Sequence, residues 1–223
     1  MKIVISLGGS LLTRELTSEN FKRYADVLKR LKDDGHRLVV VCGGGKVSRE
    51  YRDVAKEFKP SNELLDWIGI QATHMNSLTL IAALGEYAFG ISLRTVAEVK
   101  KNFKNKILVC GGNLPGCSTD YDAVLFAEAI KADLLINATN VDGVYSGDPK
   151  KDSDAKRFDR LSYEEFERII MKNPQVPGEY RFFDLKATKL IKKARIKTIF
   201  IDGRDTEEII RAVEGKHHGT IIS

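Results

Sequence analysis

Three glycine clusters in this 223-residue chain each follow a short apolar run. Gly8-Gly9-Ser10 comes after Ile3 to Leu7, Gly43-Gly44-Gly45 after Leu38 to Cys42, and Gly111-Gly112 after Ile107 to Cys110. Glycine lets backbone N–H groups approach anionic oxygens, and a helix following such a loop adds the positive end of its dipole. One glycine pair is equally well a tight turn. Three at equivalent points of a repeating pattern point to an oxyanion cleft and to phosphate chemistry. Neither GxGxxG nor GxxxxGK[ST] occurs, so the cradle is neither a dinucleotide fingerprint nor a P-loop.

Charged and polar residues stand beside these loops. Lys46 directly follows the second cluster and suits a phosphoryl group in transfer, while Arg49, one helical step on, can grip a phosphate bidentately. A solvated helix surface accounts for either equally simply. Asp66 is either a first-turn helix acid or a carboxylate accepting two ribose hydroxyls. In Ser118-Thr119-Asp120, Thr119 can cap the following helix while donating to a substrate phosphate, and Asp120 can position a lysine or a Mg²⁺-bound phosphate. Plain capping is the alternative, and Asp122 reads as a helix-start acid. Thr139-Asn140-Val141-Asp142-Gly143-Val144-Tyr145 offers polar groups and an aromatic ring beside a tight turn, as an adenine pocket requires, before Asp148-Pro149 opens a lid.

Positioning these groups falls to an alternation of strands and helices. Apolar strands at 3–7, 38–42, 107–110, 132–138, 197–201 and 220–222 are separated by helical patterns at 18–32, 46–58, 64–84, 120–131, 162–173, 184–194 and 206–213. Strands apolar on both sides need helices on both faces, so the expected fold is a three-layer α/β/α sandwich around a mainly parallel sheet. In the 64–84 helix, Ile68, Ala72, Met75, Leu78 and Ala82 are spaced to form a buried side, and Met75 and His74 read as packing residues. The stretch 146–160 mixes charges with few core formers and reads as a long mobile loop at the rim. Ser162 and Glu165 read as a capping box.

With 43% hydrophobic and 30% charged residues, the chain is expected to be an ordinary globular domain rather than disordered. The net charge of +5 suits anionic ligands but is too dispersed to indicate nucleic acid. Cys42, Cys110 and Cys117 lack CxxC spacing and read as reduced and structural. The first residues enter a strand with no secretory pattern, and no apolar run approaches membrane-spanning length, so a cytoplasmic protein without membrane contact is expected.

Taken together, Gly43-Gly44-Gly45 with Arg49, Asp66-Trp67-Ile68-Gly69 through Met75-Asn76, Gly112 to Asp120, and Asn140 to Tyr145 with Asp148-Pro149 resemble the amino acid kinase superfamily. Within it they are most similar to the short archaeal uridylate (UMP) kinases. The resemblance spans Lys2 to Ile222 and implies transfer of the ATP γ-phosphoryl group to UMP, with Mg²⁺ held mainly by the nucleotide phosphates rather than by a protein-built metal site. It implies Gly8, Gly9 and Ser10 around the transferring phosphate and Gly44 and Gly45 at the junction of acceptor and donor. Arg49 would hold the UMP phosphate and Asp66 its ribose. Asn113, Leu114, Pro115, Gly116, Cys117, Ser118 and Thr119 would wrap the acceptor, Thr119 meeting its phosphate. Asp120 would organise catalytic lysines, and Thr139, Asn140, Tyr145 and Asp148 would lie on the ATP side. The implied organisation is one domain, with 1–132 as acceptor-binding and oligomerisation lobe and 133–223 as ATP-binding lobe, assembled as a homo-oligomer, a hexamer of three dimers.

One departure bears on catalysis. Many relatives carry a lysine in the first strand where this chain has Ser6, and the helix that bears a second catalytic lysine in some of them begins here with Asp184. Lys46 is the first candidate to supply the missing charge and Lys186 the second. Sibling kinases for isopentenyl phosphate usually show a histidine after the second loop, where this chain reads Lys46-Val47-Ser48-Arg49. These siblings, carbamate or acetylglutamate kinases and a non-catalytic nucleotide-binding protein on the same scaffold are the alternatives.

Overall fold

The computed structural model describes residues 1–147, 149, 154–172 and 183–223. Strands β1 (Lys2–Leu7), β2 (Arg37–Cys42), β3 (Leu108–Cys110), β4 (Leu134–Thr139), β5 (Val144–Tyr145), β6 (Arg157–Phe158), β7 (Arg160–Leu161), β8 (Thr198–Asp202) and β9 (Thr220–Ile222) alternate with helices. The helices are α1 (Gly9–Thr13), α2 (Ser18–Asp33), α3 (Gly45–Lys56), α4 (Asn62–Leu84), α5 (Val96–Asn102), α6 (Thr119–Ile130), α7 (Tyr163–Lys172), α8 (Leu185–Ala194) and α9 (Glu207–Glu214). The main sheet runs β3-β2-β1-β4-β8-β9-β7. Every pairing in it is parallel except β8 with β9.

Alternation along the strands builds two cores. Ile3, Ile5 and Leu7 of β1, with Leu38, Val40 and Cys42 of β2, pack on one face against Phe21, Leu28 and Leu31 of α2, Leu80 and Leu84 of α4, and Ile209 of α9. Val4, Val39 and Val41 point the other way, toward Val99 of α5, Phe126 of α6, Phe166 of α7 and Ile191 of α8. The three-layer arrangement is therefore as expected, with the period of two placing successive side chains on opposite faces. Helix starts are capped by Thr17, Ser61, Ser118 and Asp184. The Ser162–Glu165 box forms reciprocally, with Glu165 N donating to Ser162 Oγ and Ser162 N to Glu165 Oε2.

Some expectations need correction. On α4 the buried residues are Leu65, Ile70, Ala72, Thr73, Asn76, Ser77, Leu80 and Leu84, so of the expected stripe only Ala72 is buried. Met75 and Leu78 are about half exposed, at 55% and 52%. The inward face carries small polar residues because it meets loop backbone: Asn76 Nδ2 donates to Gly43 O at 2.7 Å and Ser77 Oγ to Cys110 O at 2.8 Å. His74 does pack inward, under Gly111. The expected loop 146–160 contains β6, which pairs antiparallel with β5, because Arg157 and Phe158 find partners across a hairpin. Positions 148 and 150–153 lie outside the described residues, as does the expected end of the 162–173 helix. Helices α1 and α5 and strands β5 to β7 were not read from the sequence.

Candidate functional site

Parallel strands β1, β2 and β3 end at one edge of the sheet, so the three glycine loops gather there. The first two touch backbone to backbone: a Cβ on Gly9 would stand 2.1 Å from Gly45 N, and one on Gly43 2.5 Å from Gly9 N. Gly45 also has φ +64, a left-handed geometry that favours glycine. Loop contact thus demands these glycines independently of any ligand. Gly8 N and Gly43 N extend the sheet ladders, donating to Ala138 O and Leu7 O at 2.9 Å each. The amides of Gly9, Ser10, Gly44 and Gly45 donate to no protein acceptor among the described residues, so these are the N–H groups available to an anion. Thr13 clasps the two loops, its Oγ1 donating to Gly9 O and accepting from Lys46 N.

Beside this junction lies a cavity of about 340 Å³ where Ser10, Lys46, Arg49 and Asn140 meet. Arg14, Arg23 and Arg204 also line it, against the single acid Glu15. Arg204 is already paired with Asp202 and Lys46 lies near Glu50, but Arg14, Arg23 and Arg49 still leave the recess with an excess of positive charge that attracts anions. Among the described residues Lys46 Nζ has only Glu50 within ion-pair reach, at 3.5 Å and mostly in solvent. The three extra arginines escaped the sequence reading because they come from α2, the α1–α2 connection and the loop after β8.

Asp120 lies at the head of α6 under the ends of β1 and β4. Ser6 and Asn137 are register partners on those strands, and both donate to Asp120 Oδ1, at 2.9 and 2.7 Å. Burial, the largest influence, raises this carboxyl's pKa, and the two hydrogen bonds offset it only in part. No lysine pairs with Asp120 among the described residues: the place where a first-strand lysine would stand is filled by a serine-to-carboxylate bond. Ser6 and Asn137 were recognisable as polar interruptions in apolar strands.

The third loop is organised differently. Gly112 N donates to Thr73 Oγ1 at 2.7 Å, and a Cβ on Gly111 would strike the His74 ring. His74 Nε2 stands 3.0 Å from the Gly112 carbonyl and 3.2 Å from Arg94 Nε, which donates to it, while Nδ1 stands 2.7 Å from the Ser92 hydroxyl. Burial, the largest influence, lowers this imidazole's pKa. From Asn113 the chain turns outward, leaving Leu114 exposed, and Gly116 N donates to Asp66 Oδ2 at 2.9 Å. Asp66 stands in the second turn of α4, the first-turn acid being Glu63, with Arg52 at 3.7 Å. Ser118 rather than Thr119 caps α6, accepting from Tyr121 N, because Ser118 is the last residue with extended backbone. The Thr119 hydroxyl therefore has no protein partner among the described residues and is free for a ligand. Pro115 and Cys117 lie between, Cys117 half-buried. Cys42 and Cys110 are deeply buried free thiols, Cys42 pushed up to about 12 by desolvation. Lys186, in the first turn of α8, reaches Gly116 O at 3.5 Å.

On the far side, Thr139 ends β4 and Asn140 borders the cavity, while Tyr145 OH donates to Asp142 Oδ1 at 2.8 Å and Arg157 to Asp142 Oδ2 at 3.0 Å. Asp148 lies outside the described residues. Among the described residues no three His, Cys, Asp or Glu side chains cluster to hold a metal, and no helix is long and apolar enough to cross a membrane.

A mainly parallel sheet between two helical layers, with glycine loops and cations gathered at one edge, defines a three-layer α/β protein with an anion-attracting edge. The chain belongs to the amino acid kinase family, whose sequence model matches residues 1–202. It is 41% identical to the uridylate kinase of Archaeoglobus fulgidus and 42% to that of Methanococcus maripaludis, each alignment covering all of both chains. The crystal structure of the Archaeoglobus fulgidus uridylate kinase superposes with a TM-score of 0.91 over all of both chains. That of the UMP kinase from Bacillus anthracis, 26% identical, gives 0.83 over all of this chain and 95% of the other.

Proposed function

We propose that this protein is a UMP kinase, transferring the γ-phosphoryl group of ATP to UMP to give UDP and ADP, a step of pyrimidine nucleotide biosynthesis in the cytoplasm. The observation that carries the reading is the full-length likeness to uridylate kinases; the cation-lined recess at the glycine junction supports it independently. Acceptor phosphate is held by Arg49 and the free Thr119 hydroxyl. Its ribose lies against Asp66, which already fixes the loop at Gly116. The unpaired amides of Gly9, Ser10, Gly44 and Gly45 donate to oxygens of the phosphoryl group in flight, with Lys46 adding charge from the recess. Mg²⁺, when bound with the donor, neutralises its phosphate charge. Thr139, Asn140 and Tyr145 face the donor nucleoside, with Asp148 assigned to the same side. No general base is required, since the acceptor oxygen is already anionic, and catalysis rests on alignment and charge stabilisation.

Residues 1–132 carry the acceptor duties and 133–223 the donor duties. Tyr51, Val54 and Phe58 on and after α3 and Leu64, Met75 and Leu78 on α4 are each exposed, which supports assembly with further copies of the chain, a hexamer of three dimers. The testing experiment is ADP formation from Mg²⁺-ATP with UMP, CMP, AMP, isopentenyl phosphate or no acceptor, alongside Lys46→Ala. Turnover that depends on UMP and collapses in the variant is expected. Turnover only with isopentenyl phosphate, or with no acceptor at all, overturns the reading.

A further inference from the structure

Asp122 sits in the first turn of α6, where an acid ordinarily serves the helix dipole from the surface. Here the residue is only 1% exposed. Its Oδ2 accepts the N–H of Asn113 at 3.0 Å, and Oδ1 is buried with no partner among the described residues. It lies under the root of the third loop: a Cβ on Gly112 would stand 3.9 Å from Oδ2. Around it are Asp184 at the cap of α8, the thiols of Cys110 and Cys117, and Asp120 two residues earlier on α6. Glu98 of α5 acts on the same Cys110, and Lys186 of α8 and Asp66 of α4 on the same Cys117. Among the described residues no cation contributes to Asp122 itself.

An acid in such surroundings is a poor space-filler, because an aliphatic side chain or an amide would avoid burying a charge. What a carboxylate adds is a charge-assisted hydrogen bond to Asn113 N. That bond joins the two ends of the segment 113–122, so the loop is closed at its root by Asp122 and at its crest by Asp66. We propose that Asp122 is a positioning residue for the acceptor, its carboxylate holding Asn113 so that residues 113–119 keep the shape that receives the nucleoside monophosphate. This rests on the reading of 113–119 as the acceptor loop.

Two variants test it: Asp122→Ala removes the acceptor of the Asn113 bond, and Asp122→Asn keeps an oxygen there without the charge. The Ala variant is expected to raise the KM for UMP about tenfold, with kcat and the KM for ATP within about twofold, from loss of one charge-assisted bond. The Asn variant is expected to lie about threefold above wild type at pH 8, and the ratio of the two KM values should fall toward about 1 by pH 5.5 as the native carboxyl takes up its proton. UMP's own phosphate titrates near pH 6, but equally in both proteins, so the ratio removes it. Amide hydrogen exchange of 113–119, measured without nucleotide, should be accelerated in the Ala variant and not elsewhere. An unchanged KM for UMP with unchanged exchange overturns the proposal, as does a ratio that does not vary with pH. If the wild type itself fails to turn over UMP, the functional reading falls, and the exchange measurement still decides whether Asp122 holds the loop.

Discussion

At the scale of single residues, the site separates charges that bind from charges that cost. Arg49 makes no ion pair within 4 Å among the described residues, its nearest acid influence being Asp53, and lines the recess, so Arg49→Ala should raise the KM for UMP by about ten- to a hundredfold while leaving that for ATP nearly unchanged, in steady-state kinetics. Asp122 is the costly case. Burial first, and Asp184 after it, push its carboxyl from 3.8 up to about 6, against the Asn113 bond. A carboxyl raised on folding contributes most favourably below its unfolded pKa, and that contribution is lost as pH rises from about 4 through about 6. The loss is on the order of 3 kcal/mol. Asp122→Asn should therefore be the more stable protein at pH 8, with the difference vanishing near pH 4 in urea titrations. A pH-independent difference would rule this out. None of this was legible in the sequence, where an acid three residues into a helix looks like any other; only its depth under the loop gives it meaning. Ser6 and Asn137 were more readable, each a polar residue in an otherwise apolar strand.

Among the elements, legibility followed burial. Strands β1, β2, β4 and β8 were read to within about two residues because strands buried on both faces are written as continuous apolar runs. By contrast α1, α5 and the short strands β5 to β7 were missed, since two to seven residues carry too little pattern and owe their form to tertiary partners. Helix α4 shows how periodicity misleads: beside the buried Leu65, Ile70, Leu80 and Leu84, its inward face carries Thr73, Asn76 and Ser77, which bond backbone, while Leu64, Met75 and Leu78 stand exposed on the outward face. The outward face gives a prediction at this scale. Leu78→Glu should lower the mass observed by light scattering without changing the far-ultraviolet circular dichroism, and an unaltered mass would remove α4 from the interface. A second concerns the glycine junction: Gly9→Ala drives a methyl against the Gly45 backbone at 2.1 Å, so the loops must part. Activity should fall by more than about a hundredfold even where the variant still folds, because loop positions a fraction of an ångström apart decide phosphoryl alignment.

For the molecule as a whole, the sheet runs unbroken from β3 to β8 through the β1–β4 ladder, and each core draws on residues before and after position 132. The proposed acceptor and donor halves share both cores, so calorimetry of the nucleotide-free protein should show a single transition whose enthalpy agrees with its van't Hoff value. Two separated transitions would mean that the halves fold apart. The fold class and the edge that carries the site were readable because alternating strands and helices leave few topologies open. Recruitment of Arg14, Arg23 and Arg204 into the recess was not, because it depends on how distant segments meet. The contact of the first two glycine loops also bears on how such a protein can change over time. Where Gly9, Gly43 and Gly45 meet there is no room for a side chain, so that junction offers inheritance nothing to vary. The segment from Gly112 to Asp122 is fastened by exchangeable side chains, and on the proposed reading new acceptor preferences would be written there.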